Sequence, residues 1–119
     1  MLDSRFQVRK LEPSHIDQRG EIYNLHVFLN GYSWIEYYTS MEGVVRGNHY
    51  HPEGVEVVFL FDGLFEIFVK DLDSSDGIER RVIEPGQLVT CGPRVVHAHR
   101  FLKDSRAIAF SDIRKEKER

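Results

Sequence analysis

The sequence has a single cysteine, Cys91, in 119 residues. An intramolecular disulfide is therefore excluded, and nothing points to an oxidising compartment. No apolar run approaches the ~18 residues that a membrane-spanning helix needs. The opening residues, from Met1 to Gln7, are too polar for a secretory leader. These features together lead to the expectation of a cytoplasmic protein with no membrane partner. An excess of positive charge is missing too. The net charge is -3, with lysines and arginines dispersed among acids. Nucleic-acid binding is left without electrostatic support, although a local arginine can still meet a small phosphorylated ligand. Internal repeats, linkers and low-complexity stretches are absent, and no segment has convincing helical periodicity.

What remains is a pattern of short apolar runs between turn signals. The chain is one domain by size, residues 1–119. A hydrophobic content of 41% against 29% charged residues suits a soluble globular protein. Residues 1–21 read as a leading strand and loop, with Asp17-Gln-Arg19-Gly20 as a turn in which Asp17 caps its own backbone. Residues 22–29 are rich in strand formers. Asn30-Gly31 signals a hairpin, and residues 33–40 follow as a strand. Alternation places Trp34, Glu36 and Tyr38 on one of its faces, and Ile35, Tyr37 and Thr39 on the other. Asp62-Gly63 splits residues 55–69 with a second hairpin signal, so that Phe65, Ile67 and Val69 share a face beyond it. Strands are further expected over residues 80–83, 87–91, 95–101 and 106–111. The tail, about 114–119, is a mixed charge run that reads as solvated. About nine short strands with turn signals every 8–12 residues or so predict an antiparallel all-β sandwich or barrel.

The chemistry concentrates in residues 43–63. His49 and His51 stand one residue apart, and in a strand residues i and i+2 share a face. Glu56 opens the next apolar run, so its carboxylate can return to the same pocket from the adjoining strand. Two imidazoles and a carboxylate on paired strands are most of a metal site. His97, far downstream, is a fourth candidate. Several ionisable groups in one barrel interior need a cation or a shared proton. A divalent transition metal is expected, with Zn, Fe, Mn and Ni left open. His99, one strand period beyond His97, is either a partner or base in the same interior or a rim residue. Tyr50 should point away from the pocket.

The spacing G-x5-H-x-H-x4-E-x6-G, from Gly43 through His49, His51 and Glu56 to Gly63, resembles the first sequence motif of the cupin superfamily. The second motif, G-x5-P-x-G-x2-H-x3-N, is matched with departures. After Gly86 the proline, Pro93, comes one place late, Val95 stands where the second glycine falls, and Phe101 replaces the asparagine. His97 corresponds to the motif's histidine. More narrowly, Arg46-Gly-x-His-x-His51, Gly92-Pro-x-Val-x-His97, Asp17-x-Arg19-Gly20 and the Tyr37-Tyr38 pair are similar to the cupin sugar-nucleotide 3,4-ketoisomerases and their epimerase relatives. The superfamily resemblance spans roughly residues 17–111.

The resemblance implies an antiparallel jelly-roll β-barrel and, on the narrower reading, isomerisation or epimerisation of a sugar, a nucleotide sugar above all. Such chemistry removes a proton next to a carbonyl. A histidine base suits the step, and the enediolate oxygen needs a positive or hydrogen-bonding partner. His49 and His51 are the bases to expect in a metal-free site, with Tyr38 or Tyr37 returning the proton or stacking on the sugar. Tyr37 and Tyr38 can equally be core or cross-strand aromatics. Arg46 either holds a phosphate bidentately or makes a surface salt bridge. Arg19 either approaches an anionic ligand or belongs to a structural turn. His99 joins the substrate-binding set. Two other readings stand beside the isomerase: a metal-dependent cupin oxygenase, and a non-catalytic sugar-binding or regulatory cupin. Small cupins are commonly dimers, and edge strands need protection. A homodimer is therefore expected, joined through the N-terminal strand or residues 32–38.

Overall fold

The structure, a computed structural model, describes residues 5–24 and 34–112. Nine strands follow in order: β1 (Phe6–Lys10), β2 (His15–Asp17), β3 (Gly20–Ile22), β4 (Trp34–Ser40), β5 (Val45–His49), β6 (Glu56–Asp71), β7 (Glu79–Ile83), β8 (Gln87–Cys91) and β9 (Val95–Ser111). The expected Asn30-Gly31 hairpin, most of the strand over residues 22–29 and the charged tail lie outside the described residues. No helix among the described residues is long and apolar enough to cross a membrane.

Two long strands organise the rest. β6 and β9 pair antiparallel from Glu56↔Ser111 to Asp71↔Val95. The first half of β6 also pairs β8, and β8 pairs β1. The last part of β9 pairs β4. One half-sheet therefore reads β1-β8-β6-β9-β4. Beyond the bend, β6 pairs β7 and the first part of β9 pairs β5, giving β7-β6-β9-β5. The two half-sheets enclose the core as in a jelly roll. All pairings are antiparallel, as expected. Among the described residues β4 and β5 do not pair, nor do β1 and β7, so the barrel is not closed by hydrogen bonds.

The bend corrects one expectation. Asp62-Gly63 is no hairpin turn but an irregularity inside β6, with register shifts from Leu60 to Phe65. Residues 95–101 and 106–111 are likewise parts of one strand, β9. A local turn signal has been overridden by a partner strand that runs beside both halves. The backbone is held there by Ser105, whose hydroxyl accepts a hydrogen bond from Leu64 N–H at 3.1 Å and donates one to the Lys103 carbonyl at 2.8 Å. Gly63 has φ +106, and a Cβ there would come within 2.6 Å of Ser105 Cα.

Alternation places the core as expected beyond the bend. Phe65, Ile67 and Val69 are at most 1% exposed and pack with Phe101, Leu60, Ile83 and Val89. Full burial of each such side chain contributes about 1.5–3 kcal/mol. Glu66 faces the opposite way yet is buried as well. Arg80 and Arg100 close over it, with Arg80 Nε 2.6 Å from Oε2 and Arg100 Nη2 2.6 Å from Oε1. The two guanidinium groups outweigh burial and hold its pKa below the usual carboxylate range.

Gly63→Ala is expected to destabilise the fold by roughly 1–3 kcal/mol from backbone conformation alone, with the clash on Ser105 added. Chemical denaturation of the variant checks this. Unchanged stability would mean that the bend does not need glycine.

Candidate functional site

The two adjacent histidines are brought together differently from the simple alternation expected of them. β5 ends at His49, and its register on β9 shifts between Gly47 and His49. Gly47 and Asn48 both take positive φ, +86 and +65. A Cβ on Gly47 would lie 3.0 Å from the His97 carbonyl oxygen, so glycine lets β5 settle against β9. His51 lies beyond the strand, and its carbonyl accepts a hydrogen bond from Arg94 N–H at 2.9 Å. The bulge, not period two, turns both rings inward. The His49 and His51 ring centroids are 4.8 Å apart, and His49 is also 4.8 Å from His97. His49 is exposed to the cavity, whereas His51 and His97 are buried.

Glu56 comes from the first position of β6, as expected, and its Oε1 lies 3.3 Å from His97 Nε2. One ligand atom each from His49, His51, Glu56 and His97 lie within 4.8 Å of one another. Opposite ligands of one transition-metal ion at bonds of ~2.0–2.2 Å span about 4 Å. The donor set and its spacing fit such an ion after a small inward movement. His97 Nδ1 is 3.1 Å from the Val95 carbonyl, which fixes the ring and turns Nε2 toward the cluster. Burial opposes a charged His97, but hydrogen bonds and charge from Cys91 and Glu56 outweigh it and push its pKa up to about 10.

Three of these residues, His49, Glu56 and His97, line a cavity of about 520 Å³ between the half-sheets. Tyr38, Arg46 and His99 line it as well. His99 is buried and stacks on Phe65 with centroids 4.7 Å apart. Burial and the neighbouring His97 charge hold its pKa down to about 3, so its imidazole is neutral. It belongs to the interior, not the rim. Burial, followed by the Glu56 charge, keeps the Tyr38 phenol well above its ordinary pKa, and hence protonated. Arg46 reaches from β5 to β4, donating from Nε to Ser40 Oγ at 2.7 Å and from Nη2 to the Thr39 carbonyl at 3.0 Å. Its guanidinium carbon is 5.9 Å from the Tyr38 ring centroid. A hydroxyl and a carbonyl, not a carboxylate, hold this arginine.

Tyr37 lies on the opposite face of β4 from Tyr38 and reaches only the cavity's rim. It is 58% exposed and stacks on Phe61, with centroids 5.9 Å apart. Tyr50 is exposed, as expected. Arg19 is not brought to the cavity of its own chain. It stays on the β2–β3 hairpin, where its backbone N–H and its side chain both donate to the Asp17 carboxylate. Two residues that the sequence reading gave no role also meet the site. Cys91 is buried beside His97, on the strand that pairs Glu56 with it. Glu36 lines the cavity next to Tyr38. The alternation that turned Tyr38 inward was a signal for Glu36 too, whereas Cys91 depended on a pairing between distant strands.

No family model matches the chain, and no curated protein matches it. Solved structures do match. A 3,4-ketoisomerase from Helicobacter canadensis is 19% identical, with a TM-score of 0.76, over 95% of this chain and 92% of that one. The sugar 3,4-ketoisomerase QdtA from Thermoanaerobacterium thermosaccharolyticum, solved in complex with TDP, is 17% identical with a TM-score of 0.71, over 92% of this chain and 81% of that one. The Mycobacterium tuberculosis rmlC epimerase is 16% identical with a TM-score of 0.78, over 92% of this chain and 64% of that one. The fold is the antiparallel jelly roll of these structures. At these identities the likeness establishes the fold alone, and activity has to be argued from the site.

The Arg19 side chain and backbone hold Asp17 down to about 2 from 3.8. A carboxyl with a depressed folded pKa contributes stability above its unfolded pKa and loses it as pH falls through the folded value. The hairpin is therefore expected to loosen below the ordinary carboxylate range. An NMR titration of Asp17 should give a midpoint near 2, moving toward 3.8 in Arg19→Ala. An Asp17 midpoint indifferent to that substitution would refute the pairing.

Proposed function

We propose that this protein is an isomerase or epimerase of a nucleotide sugar, working by proton transfer next to a carbonyl. One observation supports it above the others. A cluster of imidazoles and a carboxylate shares a cavity with a protonated phenol and a fixed guanidinium, on the fold of sugar-nucleotide isomerases and epimerases. QdtA was solved with TDP, and we extend a nucleoside diphosphate ligand from it to this chain.

His49, His51, Glu56 and His97 are the residues that would hold a divalent transition metal. When bound, such an ion supplies Lewis-acid polarisation of a carbonyl oxygen. The chain's own groups do the rest. Tyr38 keeps its proton and can donate it to carbon or to a developing oxyanion. Arg46, tied to Ser40 and Thr39, presents positive charge at the cavity wall for a phosphate. His99 is a neutral hydrogen-bonding group. An imidazole nitrogen that holds a cation cannot also accept a proton. His49 and His51 are thus ligands in the metal-bound site and bases in a metal-free one. The complete ligand set also favours a second reading, a metal-dependent cupin oxygenase, which oxygen consumption would distinguish.

Metal analysis of protein purified without chelator is expected to give about one equivalent of a divalent ion. His51→Ala should abolish that stoichiometry and the rise in melting temperature on metal addition, since a ligand bound only by the folded state stabilises it. Wild-type protein that takes up no metal would leave His49 and His51 as free bases and remove the oxygenase reading. Solvent exchange of substrate protons, followed by NMR on a panel of nucleotide keto-sugars, tests the isomerase itself.

The protein is further proposed to be a cytoplasmic homodimer, in keeping with its free, buried Cys91. Ile35 and Tyr37, both 58% exposed on the outer face of β4, are the apolar surface that a second copy would cover. Sedimentation at micromolar concentration should give twice the 13.9 kDa chain mass. A monomer would overturn the assembly.

A further inference from the structure

The cavity has a second carboxylate that the proton-transfer reading does not use. Glu36 is half-buried on β4, between Trp34 and Tyr38 on the inward face. It lines the same cavity as His49, Glu56 and His97, from the half-sheet that also carries Glu56. The register fixes its place. Glu36 is opposite Ala109 on β9, and Ala109 is opposite Val58 on β6. Glu56 is two residues before Val58 and so shares its face. Two strand spacings, about 10 Å, therefore separate the backbones that bear the two carboxylates. Between them the wall is apolar and shallow, because Val58 is short and Ala109 shorter still.

That arrangement has the chemistry of a pyranose subsite. A sugar ring has a face of C–H groups and an edge of hydroxyl donors. The face suits the Val58–Ala109 wall. The hydroxyl edge needs an acceptor, and an ionised carboxylate accepts from two neighbouring hydroxyls at once. Arg46, which lines the same cavity, is a donor only, and the single phenolic oxygen of Tyr38 cannot accept from two neighbouring hydroxyls as the two oxygens of a carboxylate do. The nucleotide's phosphates would be repelled by Glu36, which assigns them to Arg46.

We propose that Glu36 is the specificity-determining residue of this cavity and reads the hydroxyl pattern of the sugar ring, two strands across the same half-sheet from Glu56. The inference rests on the nucleotide-sugar reading and deepens it. Glu36 is not one of the four clustered residues. It selects which sugar lies across the wall.

Calorimetric titration of the full chain with thymidine diphosphate and with thymidine diphosphate glucose separates the two claims. Wild-type protein should bind the sugar nucleotide more tightly than the nucleotide alone. Glu36→Gln keeps the shape and removes the charge. It should weaken the sugar nucleotide roughly tenfold or more while changing the nucleotide alone by less than about twofold. Retained nucleotide binding also shows that the variant is folded. Glu36→Asp, which keeps the charge one methylene further back, should lie between. Loss of both ligands in equal measure, or of neither, overturns the role of Glu36 and leaves the nucleotide-sugar reading intact. A wild-type protein that binds neither ligand overturns both.

Discussion

The structure depends on one ladder, the antiparallel pairing of β6 with β9. It is the only pairing among the described residues that belongs to both half-sheets. Its bend, at the shifts between Leu60 and Phe65, turns one sheet into two facing ones. Each strand then delivers chemistry on either side of that bend. β6 begins with Glu56 on one half-sheet, while β9 begins with Val95, His97 and His99 on the other. The carboxylate and the imidazoles can meet only because the ladder folds back over itself. Gly63 and Ser105 lie far from the cluster, yet they set the angle at which its two halves face each other.

The two buried glutamates show how charge is tolerated on either face of this sandwich. Glu66 is shut in on the outer face by Arg80 and Arg100, which satisfy both its oxygens. A buried carboxylate so paired is a structural element, and breaking the pair would leave an uncompensated charge. Glu56 meets an imidazole. Its neighbour is His97, itself drawn toward the charged form by Glu56 and Cys91. An acid that shares charge with titratable imidazoles can exchange a proton or accept a cation, whereas one held between arginines can do neither. The same residue type is therefore inert on one face and reactive on the other, and the neighbours decide which.

How much of this the sequence disclosed follows from how local each signal was. The Gly43-to-Gly63 spacing identified His49, His51 and Glu56, and the structure gathers them with His97. The strand alternation around Phe65, Ile67 and Val69 was legible, because one buried face imposes period two on any strand. The bend was not. Asp62-Gly63 has the composition of a hairpin turn, and only the continuous partner strand makes it a bulge. The route by which His49 and His51 converge was misread for a similar reason, since the positive φ of Asn48 leaves no mark in an Asn that could sit in any turn. Arg19 had a motif in its favour and still ends on Asp17, because a carboxylate two residues away is closer than any cavity. Ser40 carries no motif, and its hold on Arg46 depends on two half-sheets facing each other.

The protonation states narrow what the cavity can do. His99 stays neutral in its buried place against Phe65, and Tyr38 stays protonated through burial and then the Glu56 charge. Neither is a base at ordinary pH. Both are suited to an oxygen that gains negative charge during reaction, since each can present a hydrogen bond without first losing a proton to solvent. Arg46 adds a permanent positive charge whose orientation is fixed by two bonds to β4, so little reorganisation is needed when an anion arrives. Proton abstraction has to come from the cluster or from beyond these three groups. The cavity thus divides into a wall that stabilises developing negative charge and an end where acid, base or metal chemistry begins. Each group draws on both half-sheets, Tyr38 and Glu56 from one and Arg46, His49, His97 and His99 from the other, so the bend in a single pair of strands is what brings them together.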